Sequence, residues 1–168
     1  MSNSGLMPIA TTGDAILTKA AIAVTVFDDE LAKLAEKMML TMTTANGVGI
    51  AAPQVFSPLA MFIMASKPNA RYPLAPRMEP VVVVNPRIIN TSEHMECAEE
   101  GCLSIPSKRL SIWRHQQITV QYQNIAGKVI HQALDGFVAR IFQHEYDHLQ
   151  GITLLERSQM PEQTVMLM

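Results

Sequence analysis

The chain has 168 residues, 48% of them hydrophobic, with a formal net charge of −2, and this length predicts a single domain over residues 1–168. The sequence has no tract rich in lysine and arginine, so its charge pattern does not indicate nucleic-acid binding. Its apolar runs are too short to span a membrane. Residues 1–10 lack the features of a signal peptide and two cysteines form no disulfide framework, so we expect a cytoplasmic protein.

Six segments carry the periodicity or composition of regular secondary structure. In chain order they are a helix that starts at Asp28 or Asp29 and ends near Asn46, buried strands at 59–64 and 81–84, a half-buried strand at 118–122 that turns at 124–128 into a partner at 129–134, and a helix over 137–150. The proline-rich stretch 67–80 is expected to be a surface loop. Together these segments predict an α+β fold in which short, mostly antiparallel strands surround the second helix.

The second predicted helix carries a His-Glu-x-x-His motif. His144 and His148 are four residues apart, so both imidazoles lie on one face of the helix and can reach one metal ion. Glu145 is close enough to accept a proton from a water molecule at that metal. Phe137 and Ile141 lie along the same side and are expected to give the metal an apolar neighbourhood.

A catalytic metal usually takes three protein ligands, so a third one is needed. The metzincin pattern would place a histidine where this chain has Leu154, and the tail that contains Glu156 and Glu162 is too short to return a ligand convincingly. The third ligand is therefore expected upstream, where the candidates are the acidic residues, His94, His115, His131, Cys97 and Cys102. We favour Cys102, which lies in Glu-Gly-Cys-Leu-Ser, and expect Cys97 to be structural and the three histidines to be surface or hydrogen-bonded residues.

A glycine-rich segment at residues 47–54 is the third conspicuous feature. It resembles the G-x-G-x-x-A turn of dinucleotide-binding proteins, but a helix precedes it and Pro53 interrupts it. We interpret it as an extended segment that lines a cleft and offers the Gln54 amide to a substrate oxygen.

Three motifs now occur in one order: G-x-G-x-A-A-x-Q at 47–54, E-G-C-L-S at 100–104 and Q-H-E-x-D-H-L at 143–149. With these motifs the chain resembles the bacterial-type peptide deformylases over nearly its whole length. The resemblance implies a hydrolase that removes the formyl group from the formyl-methionine of nascent chains and releases formate. It also implies a metal, Fe²⁺ foremost in the cell, with Zn²⁺, Ni²⁺ or Co²⁺ able to take its place.

The resemblance also implies roles for particular residues. The metal ligands would be Cys102, His144 and His148. Glu145 would be the general acid and base, with Gln54 and the Leu103 backbone N–H holding the formyl oxygen. Gly49 and Arg109 would bind the peptide, and an apolar pocket with Phe137 and Ile141 would receive the methionine side chain. Formyl-methionyl nascent peptides are therefore the expected partners.

The chain departs from the family pattern at both ends. Ala15 and Thr18 stand where the family's opening motif has proline and arginine, which puts the packing of the N-terminal segment in question. The tail after Gly151 is short and methionine-rich (Met160, Met166 and Met168), so we expect at most a transient ribosome association and no docking through a long C-terminal helix.

Three other functions compete with this interpretation. A zinc endopeptidase would use the same His-Glu-x-x-His motif and would cleave unformylated peptides internally. A catalytically silent relative would bind peptides or ribosomes, although it would be free to lose residues that are intact here. A dinucleotide-binding module rests on the glycine segment alone.

Overall fold

The computed structural model describes residues 5–160, and Met166 and Met168 of the tail lie outside this range. Its helices and strands are α1 (Asp29–Thr44), β1 (Gly49–Ala51), β2 (Met61–Ser66), β3 (Met78–Thr91), β4 (Met95–Cys102), β5 (Ile105–His115), β6 (Gln117–Gln123), β7 (Val129–Asp135), α2 (Gly136–Leu149) and α3 (Leu154–Ser158). Two short 3₁₀ turns cover Ala15–Thr18 and Ala52–Val55. The predicted α+β fold with antiparallel strands is confirmed.

The strands form two separate sheets. Five of them make an antiparallel sheet in the order β1-β2-β3-β6-β7, and β4 and β5 form an antiparallel hairpin of their own. Within residues 5–160, no helix is long and apolar enough to cross a membrane.

The five-stranded sheet is covered by a helix on each face. Phe62 of β2 packs edge-to-face on Phe142 of α2, with ring centroids 5.0 Å apart. The neighbouring Met61 and Ile63 belong instead to the core cluster that contains Met38 of α1. Because successive strand residues point to opposite faces, β2 is buried on both sides and shows a continuous apolar run rather than alternation.

The ends of both long helices follow the predicted signals. The Asp28 carboxylate caps α1 by accepting from the Leu31 N–H at 3.1 Å. Gly151 follows α2 with a φ of 78°, and a Cβ there would lie 2.9 Å from the backbone of Thr18 and Lys19. Glycine at this position therefore lets the N-terminal segment pack against the end of α2.

The structure adds elements that the sequence pattern does not reveal. The strand predicted at 81–84 is part of the much longer β3, and β4 and β5 were not predicted at all. About half of the residues of β4 and β5 are exposed, and the buried ones include the charged Glu100 and Arg114, so the hairpin lacks the alternation of apolar and polar residues that identifies a half-buried strand.

Candidate active site

Three metal-binding side chains converge beside α2. The ligand atoms of Cys102, His144 and His148 lie within 4.8 Å of one another, and Cys102 Sγ is 3.4 Å from His148 Nε2. Bonds of about 2.3 Å to sulfur and about 2.1 Å to nitrogen allow donors at this separation to share one ion. All three predicted ligands are thus brought together.

Cys102 ends β4 at a register shift, just before the tight connection to β5. Burial alone would raise the pKa of its thiol, but His148 and His144 bring this pKa well below the ordinary value. The site therefore favours the thiolate, which is the form that binds metals.

His144 is oriented by a carboxylate. Its Nδ1 lies 2.9 Å from Glu100 Oε1, which leaves Nε2 as the nitrogen for a metal. Burial alone would lower the pKa of His144, but contacts with Cys102 and Glu100 raise it well above its ordinary value. This carboxylate–histidine arrangement is typical of metal sites, so the residues present fit a divalent cation.

Glu100 is held in turn by two arginines. Arg114 Nη2 donates to Glu100 Oε1 at 2.9 Å, and Arg140 Nη1 donates to Oε2 at 2.6 Å. Burial alone would raise the pKa of Glu100, but Arg114 and His144 bring it well below its ordinary value. The lowered pKa favours the anionic form of Glu100 beside His144.

The network of buried ion pairs extends from Arg114 through Asp147 to α3. Arg114 also donates to Asp147 Oδ2 at 2.6 Å, and Arg157 of α3 donates to Asp147 Oδ1 at 2.7 Å. Both arginines are at most 8% exposed, so these are buried ion pairs. The Glu156 carboxylate accepts from the Thr153 N–H and so caps α3, which explains the position of this glutamate without a role as a metal ligand.

Glu145 lies beside the three ligands and is 4% exposed. Burial raises the pKa of its carboxyl to about 7, although His144 and His148 act in the opposite direction. Its Oε1 has no hydrogen-bond partner among the described residues. A buried carboxyl that titrates near neutrality is suited to accept and return a proton.

Gly49 packs directly against this carboxyl. A Cβ at position 49 would collide with the Glu145 carboxylate. Glycine is therefore needed here for close approach, a reason that the motif alone does not reveal.

Gln54 is fixed in an orientation that presents its amide nitrogen to the site. Its Oε1 accepts from the Ala51 N–H at 2.9 Å, while Nε2 donates to Ser104 Oγ at 3.0 Å and lies 3.6 Å from Cys102 Sγ. The N-terminal segment supports this turn, because the Ala10 N–H donates to the Gln54 carbonyl at 2.7 Å. The segment is therefore packed despite Ala15 and Thr18.

A cleft of about 30 Å³ opens over these groups. It is lined by five of the residues predicted for catalysis or substrate binding, together with Glu145, Cys102 and His144; the five are Gly49, Gln54, Leu103, Phe137 and Ile141. Arg109 is not among the lining residues. Its guanidinium lies 4.9 Å from the centre of the Tyr72 ring and pairs with Glu99 at 3.6 Å.

Tyr72 comes from the stretch predicted as a surface loop, and it reaches the cleft. Its hydroxyl accepts from the Gly101 N–H at 3.0 Å, and its ring lies 4.9 Å from that of Phe137. The expectation of a plain surface loop is therefore incomplete, because this loop covers part of the site.

The remaining candidates lie elsewhere. His94 and His131 are exposed, with Glu96 and Gln121 as their respective neighbours, and His115 Nδ1 is 2.8 Å from the Ser92 carbonyl. The expectation for these histidines is confirmed. Cys97, expected to be structural, is instead exposed on β4 opposite Trp113.

Comparisons with known proteins agree with this geometry. The family model described as polypeptide deformylase matches residues 6–164. The chain belongs to the polypeptide deformylase family. It is 64% identical to peptide deformylase 2 of Shewanella oneidensis over 160 residues, which cover 95% of this chain and 88% of that protein.

Solved structures show the same fold. The Met-Ala-Ser-bound class I type b peptide deformylase of Acinetobacter baumannii aligns with a TM-score of 0.88 and 44% identity, over 90% of this chain and 98% of that one. Peptide deformylase of Thermotoga maritima aligns with a TM-score of 0.83 and 40% identity, over 92% and 99% of the two chains. The chain is thus a metal-dependent peptide deformylase, which removes the formyl group from the N-terminal formyl-methionine of nascent polypeptides and releases formate.

Sequence reasoning missed the supporting residues, which are those that hold the candidate site residues in place or line the cleft beside them. They are Glu100, Arg114, Asp147, Arg157, Ser104, Arg71 and Tyr72. Three of them, Glu100, Ser104 and Asp147, lie within the three motifs, and an acidic residue in such a motif is a signal for a partner that orients a metal-binding histidine.

Proposed function

We propose that Cys102, His144 and His148 hold the catalytic metal of this deformylase, within one catalytic domain over residues 1–168. The observation that carries the proposal is the convergence of one thiol and two imidazoles beside a buried glutamate whose pKa is about 7. A divalent metal bound there would act as a Lewis acid and make water a better nucleophile near neutral pH.

Glu145 is the group that moves protons. Its carboxylate accepts a proton from the attacking water and returns one to the leaving amine, so the peptide departs with a free N-terminus. The pKa near 7 supports both roles, because the carboxyl can change protonation state at little cost near neutral pH.

Gln54 and the Leu103 backbone N–H stabilise the developing charge on the formyl oxygen. The Gln54 side chain needs no reorganisation, since its oxygen is already held by Ala51 and its nitrogen faces Cys102. Loss of one such donor typically costs about 10²–10³ in rate.

The substrate chain is held by the walls of the cleft. Phe137 and Ile141 receive the methionine side chain, and Gly49 offers its backbone to the peptide. Arg109 does not line the cleft but packs on Tyr72, which does, and from there it helps to hold the peptide. A relative from Acinetobacter baumannii binds Met-Ala-Ser, the peptide that remains when formyl-Met-Ala-Ser loses its formyl group.

We propose Fe²⁺ as the metal in the cell. One thiolate and two imidazoles also suit Zn²⁺, Ni²⁺ and Co²⁺. Oxidation of iron or of the Cys102 thiolate would inactivate the enzyme, so the iron form should lose activity in air faster than the nickel form. Equal decay of the two forms would contradict the choice of iron.

Formyl-methionyl nascent peptides in the cytoplasm are the proposed partners, with a transient association with the ribosome. The decisive experiment measures formate release from formyl-Met-Ala-Ser by protein purified without oxygen, with metal content assayed on the same sample. Glu145→Gln should retain metal and lose nearly all turnover, whereas Glu36→Gln on the exposed side of α1 should match the wild type. Cleavage of internal, unformylated peptide bonds would instead support the endopeptidase alternative.

A further inference from the structure

Arg71 lies at the mouth of the cleft in the segment between β2 and β3. It is partly buried and lines the cleft together with Gly101 and Leu103. Its Cδ and Nη1 lie 3.6 and 3.7 Å from the place that a Cβ on Gly101 would take. The guanidinium is therefore beside the strand that ends in the ligand Cys102.

The other arginines near the cleft are neutralised, whereas Arg71 is not. Arg109 pairs with Glu99, and Arg140 pairs with Glu100 at 2.6 Å. Among residues 5–160, the structure records no carboxylate or other acceptor for the Arg71 guanidinium. A partly buried cation without a partner is unfavourable unless an anion comes to it.

The backbone of Arg71 and of its neighbour Tyr72 is held in place by hydrogen bonds and ring contacts. The Asn69 side-chain oxygen accepts from the Arg71 N–H at 2.9 Å, and the next residue, Tyr72, is held by Gly101 and Phe137. Arg109 Nη1 also lies 3.5 Å from the Arg71 carbonyl. The guanidinium is thus presented to the cleft by an ordered segment, which lowers the entropic cost of binding a ligand there.

We propose that Arg71 selects substrates that carry a carboxylate on one of the two residues after formyl-methionine. This inference rests on the proposed function, in which the formyl oxygen and the methionine side chain are received by Gln54 and by Phe137 with Ile141. The substrate residues that follow formyl-methionine would then lie at the mouth of the cleft, beside Arg71. An arginine fork matches a carboxylate with two parallel hydrogen bonds, and these are stronger than neutral ones.

The test compares matched acidic and amide substrates. Formyl-Met-Asp-Ser and formyl-Met-Asn-Ser, and likewise formyl-Met-Ala-Asp and formyl-Met-Ala-Asn, are prepared as C-terminal amides so that no other carboxylate is present. Each is assayed with the wild type, Arg71→Gln, Arg71→Lys and the control Arg77→Gln. Arg77 is an exposed arginine of the same segment that lines a different cavity.

At one of the two positions, the wild type should favour the aspartate peptide over its asparagine match by about 10-fold in kcat/KM, mainly through KM. Arg71→Gln should abolish this ratio, Arg71→Lys should retain part of it, and Arg77→Gln should leave it intact. The ratio should also shrink at high salt. An aspartate-to-asparagine ratio that is the same in the wild type and Arg71→Gln at both positions would overturn the proposal.

The asparagine peptides separate this failure from a failure of the proposed function. If they release formate normally while the ratio is insensitive to Arg71, the deformylase mechanism stands and the role of Arg71 is wrong. If a fully metallated wild type releases no formate from any of the four peptides, the proposed function itself is wrong.

Discussion

Replacing Glu145 with glutamine should stabilise the metal-free protein at alkaline pH. Burial raises the pKa of Glu145 to about 7 from an ordinary value of 4.5, because the charged carboxylate has lost its water. Folding therefore disfavours the ionised form, and glutamine has no ionised form.

The sign and size follow from the linkage between protonation and folding. A folded-state pKa above the unfolded one gives stability that is fully present below about pH 4.5 and is lost as the pH rises through about 7. Each pH unit between these values corresponds to about 1.4 kcal/mol, so the wild type loses about 3 kcal/mol that Glu145→Gln does not lose.

Urea unfolding of the chelated, reduced proteins at several pH values from 4.5 to 8.5 measures this difference. The free energy of unfolding of Glu145→Gln minus that of the wild type should grow by about 3 kcal/mol between the two ends. Any constant offset from the substitution itself cancels. The exposed Glu36→Gln should follow the wild type, and a difference for Glu145→Gln that does not change with pH would refute the reasoning.

Three further substitutions test the surroundings of the site. Gly49→Ala should push the Glu145 carboxylate aside and lower kcat by about 10²-fold, with metal content unchanged; wild-type turnover would show that the close contact is unimportant. Arg157→Met should lower the free energy of unfolding, measured in urea at pH 7, by about 3 kcal/mol, because it leaves the buried Asp147 carboxylate with Arg114 as its remaining arginine partner. The loss should be smaller at low pH, because Asp147 becomes protonated there and the ion pair no longer contributes. Cys102→Ser should reduce the metal bound per chain, and an unchanged content would argue against ligation by this thiol.

The residues that converge at the candidate site could be picked out from the sequence because their chemistry restricts their spacing. Two histidines one helical turn apart identify the metal helix, and Gln54 and Cys102 fall within motifs that resemble a known family. The helix boundaries were equally readable, since Asp28 and Gly151 are local signals that act within a few residues.

The supporting residues could not be predicted because their partners are distant along the chain. Glu100 meets Arg140 across 40 residues, and Asp147 meets Arg114 across 33. A charged residue normally predicts an exposed position, yet Glu100 and Arg114 are 2% exposed. Only the antiparallel pairing of β4 with β5, beside α2, brings these charges together and makes their burial tolerable.

The polar residues of the metal helix divide between chemistry and support. His144 and His148 face the metal position, while Gln143 and Asp147, each one residue earlier, bind β5. Gln143 donates to the backbone carbonyl of His115 at 2.9 Å and accepts from its N–H at 3.0 Å, so it substitutes for a strand partner at that point. Because the same helical turns carry both sets, β5 fixes the rotation of the helix about its axis and thereby the direction of both imidazoles. The geometry of the candidate metal site is therefore determined by a hairpin that contributes Cys102 and by a helix whose orientation this hairpin sets.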